Sequence, residues 1–165
     1  MISRQKNSVS AKRLAAVFVV GAALFGATGC SGGGASPGTA FIVNGTAMSE
    51  RELTEATDQL TSIGGGEAYR AQAAQTLATS EAILDALAEG GIAPTEQEIE
   101  TQAEAFLALT GSSTTADELL PAVRRLLYVN ALLSDPAISD EVGAELVQQA
   151  IATADLNMNP RYESQ

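Results

Sequence analysis

The stretch "AFIVNGTAMSERELTEATDQLTS", Ala40 to Ser62, carries two different local signals in close succession. Phe41 to Val43 is a short aromatic and β-branched run, the composition of a strand, and Asn44-Gly45 favours a turn with positive φ. Ser49-Glu50-Arg51-Glu52 has the spacing of a capping box, in which the serine accepts from the amide three residues on and the glutamate reaches back. Met48 and Leu53 stand where a hydrophobic staple crosses such a box. The stretch therefore predicts a strand, a turn and a helix from about Ser49 to Ser62. Ile63-Gly64-Gly65-Gly66 should end that helix, because consecutive glycines make its continuation costly.

Beyond it, Glu67 to Glu89 is rich in Ala, Leu and Glu and free of Gly and Pro, with Tyr69, Ala73, Leu77, Leu84 and Leu87 spaced as one face of a long amphipathic helix. Gly90-Gly91 should cap it, and Thr95-Glu96-Gln97-Glu98 after Pro94 is a second capping box whose helix turns Ile99, Ala103 and Phe106 inward. "TGSSTTADELLP" reads as a loop with a short helical turn. Pro121 suits the first position of a helix running through "AVRRLLYVNALLS", whose wide apolar arc of Val123, Leu126, Leu127 and Leu133 places it at the centre of the core. Asp135-Pro136 breaks the chain, Ser139 is positioned to cap a last helix from Asp140 to about Ala152, and Leu156 and Met158 alternate with asparagines as a closing strand. The expected fold is mainly α, a multi-helix domain over residues 41–162 with a small sheet formed by its N- and C-terminal strands; residues 163–165 are a tail.

Upstream lies a segment of another kind. "MISRQKNSVSAKR" is basic, "LAAVFVVGAALF" is an apolar run of signal-peptide length, and Ala27, Thr28 and Gly29 form a small-residue processing site, so residues 1–29 read as an export signal. Leu14 to Gly29 falls short of the roughly 20 apolar residues of a membrane span. Cys30, the single cysteine of 165 residues, follows directly. An exported chain with one cysteine cannot close an internal disulfide. The alternatives are a free or intermolecularly paired thiol beside a plain cleavage site, and a lipid attachment site. Residues 30–40, "CSGGGASPGTA", then form a flexible Gly/Ser linker.

The four basic residues of the signal leave five among residues 30–165 against all 20 acids, a formal charge of −15, and that part of the chain has no lysine. Duplex nucleic acid is excluded as a partner on this ground, since its affinity comes from Lys and Arg neutralising phosphates. The whole chain has no histidine, hence no Ser/His or Cys/His nucleophile pair and no imidazole metal ligand. No metal site and no cofactor are expected. Carboxylates are the remaining acid/base groups, and a hydrolase built on them needs two converging in one pocket. Arg124-Arg125 is expected to pair with nearby acids.

Ala27-Thr28-Gly29-Cys30 resembles the lipobox of bacterial lipoproteins, with Ala27 where that family favours leucine. The resemblance implies a diacylglyceryl thioether on Cys30, and two acyl chains hold firmly to a bilayer where one does not. Val43-Asn44-Gly45, Ser49-Glu50-Arg51-Glu52-Leu53, the long helix, "GGIAPTEQEIE" and the terminal Asn159-Pro160-Arg161-Tyr162 together resemble the N-terminal chaperone domain of SurA-type extracytoplasmic foldases, as found in stand-alone actinobacterial lipoproteins. Glu163 stands where those relatives tend to have glycine, and there is no parvulin domain, whose histidines are absent here. The resemblance implies a helical cradle closed by its terminal strands and affinity for unfolded exported chains, without prolyl isomerase activity. The expected function is a membrane-anchored, extracytoplasmic, non-enzymatic holdase or assembly factor, with Met48, Tyr69, Phe106, Leu107, Leu109 and Tyr128 as client-binding apolar residues. The competing expectation is an adaptor or structural lipoprotein serving one envelope partner.

Overall fold

A computed structural model describes residues 37–64, 69–138 and 140–162. The export signal, its processing residues Ala27, Thr28 and Gly29, the lipid-attachment residue Cys30, most of the linker, the cap at Ser139 and the tail 163–165 lie outside the described residues.

The chain enters as strand β1 (Thr39–Val43), turns, and returns as β2 (Thr46–Ser49). Asn44 (φ 48°) and Gly45 (φ 84°) both take left-handed conformations, as the two-residue hairpin turn that matches strand twist requires. β2 is a correction to the sequence reading, which ran from the turn straight into the helix. Thr46 to Ser49 gains its strand character from pairing with β1, in the register Val43 opposite Thr46 and Phe41 opposite Met48. The register slips at Ala40, a bulge that lets consecutive residues Ala40 and Phe41 both face the core.

Helix α1 (Glu50–Gly64) follows without a loop. Its capping box is formed: the Ser49 amide donates to Glu52 Oε2 at 2.9 Å, and the Glu52 amide donates to Ser49 Oγ at 3.2 Å. Then come α2 (Arg70–Glu89), α3 (Glu96–Thr110), a 3₁₀ turn at Ala116–Glu118, α4 (Pro121–Leu133), α5 (Asp140–Thr153) and β3 (Leu156–Met158). The Thr95/Glu98 box opens α3 as expected. A third box that the sequence reading passed over opens the 3₁₀ turn, where the Glu118 carboxylate accepts from the Thr115 amide (2.8 Å) and hydroxyl (2.9 Å). α2 ends in a paired cap: the Ile92 amide reaches the Leu87 carbonyl and the Gly91 amide that of Ala88, with Gly91 at φ 73°.

β3 returns to β1 antiparallel, Met158 opposite Phe41 and Leu156 opposite Val43, giving a three-stranded sheet of order β2-β1-β3. The architecture is mainly helical with a small antiparallel sheet joining the first and last strands.

The central element is α2. It packs against α1, α4, α5 and β1, and buries Ala73, Ala74, Leu77, Ala78, Ala82, Ile83, Leu84 and Leu87. These positions surround most of the helix, so α2 is an enclosed helix and not the one-sided amphipathic one read from its leucines. Its alanines permit this, since a methyl group lets neighbours approach closely on several sides. α4 buries Val123, Leu126, Leu127 and Val129 as expected and is one of the helices that wrap α2.

Candidate functional site

Two arrangements of side chains stand out, a polar clasp at the sheet and a groove among the helices. The clasp is built on Glu50, the first residue of α1. Its Oε2 accepts from the Tyr162 hydroxyl at 2.6 Å and from Arg70 Nη2 at 2.5 Å, and its Oε1 faces Asn159 Nδ2 at 3.4 Å. Arg70 also donates to the Glu50 carbonyl at 2.7 Å, and its guanidinium carbon lies 6.0 Å from the centre of the Tyr162 ring. The "NPRY" segment is thereby explained as a turn. Asn159 Oδ1 accepts from the Arg161 amide and its carbonyl from that of Tyr162, with Pro160 fixing φ between them. The Asn159 amide and Nδ2 tie this turn to the Ala40 and Thr39 carbonyls of β1, and Gln75 of α2 holds the Tyr162 carbonyl at 2.8 Å. Tyr162 is 6 % exposed. Burial and its bond to Glu50 push its hydroxyl above the usual tyrosine range, so it remains a donor.

The groove lies between α2, α4 and α5. It is an open groove of about 210 Å³, with Ile83, Val129, Leu133 and Val147 as its apolar lining and Gln75, Thr79 and Asn130 at its rim. No charged side chain lines it. Small Thr79 and Ser80 leave the space, and the Ser80 hydroxyl is turned back onto the Thr76 carbonyl.

The six apolar residues singled out from sequence are not brought together. Met48 (8 % exposed) and Leu107 (4 %) belong to the core. Phe106 and Tyr128 are half-buried and pack against that core. Tyr69 (67 %) and Leu109 (86 %) are exposed, the first at the N-cap of α2 and not on its apolar face, the second in the last turn of α3. None of the six lines the groove.

Two acids of α2, Glu81 and Asp85, are engaged by side chains of other elements. Arg125 of α4 binds Glu81 of α2 through both carboxylate oxygens, at 3.0 and 3.2 Å. Burial raises the Glu81 carboxyl above its ordinary value, Arg125 opposes the rise, and Asp85 one turn away adds to it. Asp85 is in turn held by Asn44 Nδ2 at 2.7 Å. Among the described residues no three His, Cys, Asp or Glu side chains are disposed to hold a metal, and no helix is long and apolar enough to cross a membrane.

No protein-family model matches this chain, and no curated protein or solved structure does.

Proposed function

We propose that the protein is a membrane-anchored extracytoplasmic lipoprotein with a SurA N-terminal-like body, acting without catalysis as a chaperone or assembly factor for exported proteins. Cys30 carries a diacylglyceryl thioether at the outer face of the cell membrane, and residues 31–40 hold the acidic body off an acidic surface. The observation that carries this reading is the pairing of β1 with β3 across the helical body, the closure that the resemblance to SurA-type domains implies. Suppression of aggregation of a reduced exported client by the purified chain tests it. No effect at several-fold excess removes it. Mass spectrometry of the mature N-terminus, with and without Cys30→Ala, tests the anchor: a lipid adduct lost in the variant is expected, and an unmodified Cys30 refutes it.

A second reading, an adaptor for one envelope partner, is favoured by the scatter of the exposed large apolar residues. Among the described residues, Tyr69, Ile92 and Leu109 stand at the start of α2, after its end and at the end of α3, and Val142 and Ile151 on α5. A chaperone for many clients gains from a continuous patch. Crosslinking in cells distinguishes them: one dominant product identifies an adaptor, a broad distribution of exported proteins a holdase.

A further inference from the structure

The geometry points to the groove between α2, α4 and α5 as the place where this protein takes one leucine-sized side chain of an extended, cationic polypeptide segment. The inference rests on the chaperone reading and names its substrate class. An apolar cavity of about 150 Å³ accommodates a benzene-sized group, so the 210 Å³ here fits one aliphatic side chain and is small for a free metabolite, whose pockets run from about 300 Å³. Val147 and Leu133 are half-buried, so the lining is open to solvent on one side. At the rim, the Asn130 side chain is exposed and offers both a donor and an acceptor, the pairing an extended backbone needs.

Charge decides the flanking residues. The groove reaches the last turn of α4, where backbone carbonyls concentrate partial negative charge, and that turn holds no basic residue to offset it. Asp135 follows after the C-cap Ser134, its carboxylate accepting from the Ala137 amide. Of the body's five arginines, Arg70 and Arg125 are committed to Glu50 and Glu81, and residues 30–165 carry −15 overall. A lysine or arginine beside the anchoring leucine therefore meets a favourable field, and an acidic one is repelled.

The test uses the protein purified as the cell processes it and fluorescence anisotropy with three labelled peptides: a leucine flanked by lysines, the same peptide with Leu→Ser, and the same with the lysines changed to glutamate. Binding of the first is expected, weakening about tenfold or more on Leu→Ser. It should also weaken between about 50 and about 500 mM salt. Asn130→Lys places a cation at the rim on an exposed helical position near a C-terminus, where lysine is tolerated, and should weaken binding at least about threefold, and more than Asn130→Asp, which loses the donor but adds a charge that attracts the lysines. Equal binding of the lysine and glutamate peptides, no effect of Leu→Ser, an unchanged Asn130→Lys variant, or no binding of the lysine peptide each overturns the proposal. If the wild type suppresses client aggregation and Asn130→Lys does so equally, the chaperone reading stands and the groove assignment falls. Peptide binding as described without suppression leaves the groove a binding site and removes the chaperone reading.

Discussion

Glu50 opens α1, neutralises Arg70 and accepts the Tyr162 hydroxyl, so one carboxylate joins the start of one helix, the start of the next and the end of the last strand's turn. Charge-assisted bonds of this kind are stronger than neutral ones. Tyr162→Phe removes one donor and keeps the ring, and should cost about 1–2 kcal/mol in urea unfolding at neutral pH. The alkaline limb is a second signature. A tyrosine whose folded pKa is raised contributes stability that is complete below its ordinary value and is lost as pH rises through the folded one. The wild type should weaken above about pH 10, and Tyr162→Phe should weaken less steeply there, with Tyr128, also raised by burial, keeping part of the slope. The bonds of "NPRY" to Glu50 and β1 were not legible in the sequence, because the partners lie more than a hundred positions upstream.

At the scale of elements, three Ser/Thr-x-x-Glu boxes set where α1, α3 and the 3₁₀ turn begin. Ser49→Ala should destabilise the protein by about 1 kcal/mol in denaturant unfolding, the usual cost of losing such a cap. The same boxes set the acid response. Hydrogen bonds from the Ser49 hydroxyl and amide lower the Glu52 carboxyl, and amide and hydroxyl bonds from Thr95 and Thr115 lower Glu98 and Glu118. Their folded pKa values lie below the unfolded ones, so their stabilisation is present above the ordinary carboxylate range and is lost as pH falls through the folded values. Glu81, raised by burial, runs the other way and is relieved by protonation. Denaturation midpoints followed from neutral pH to about pH 3 should fall, and the fall should be shallower in a Glu98→Ala/Glu118→Ala variant. Helix starts could be read from sequence because a capping box is confined to four residues. β2 escaped because Thr46 to Ser49 is short and acquires its conformation from the strand opposite. The enclosure of α2 escaped because alanine marks no face of a helix. The groove escaped for a further reason: it is lined from three helices apart in sequence, and no local pattern records how they pack.

For the whole molecule, stability depends on closing the sheet around β1. Val43 pairs with Thr46 on one side and Leu156 on the other. Removing residues 155–165 deletes β3 and the clasp together, leaves one edge of β1 unpaired and uncovers Phe41. The expected result is a loss of about 3 kcal/mol or more, a large share of the roughly 5–15 kcal/mol typical of a domain, seen as a lower and broader urea transition by circular dichroism. An unchanged midpoint would show β3 to be an ornament of a self-sufficient helical body. The fold class was legible because helix periods and breakers recur along the chain, and so was the pairing of the end segments; which helix occupies the centre was decided by packing.

The middle strand of the sheet also dictates an order of events. A chain synthesised N-terminus first delivers Phe41 to Val43 early and Leu156 to Met158 late, so β1 waits with an open edge until nearly all of the sequence has been made. Completion of the sheet is thereby coupled to the end of synthesis. The three-stranded sheet closes only once its last strand is in place.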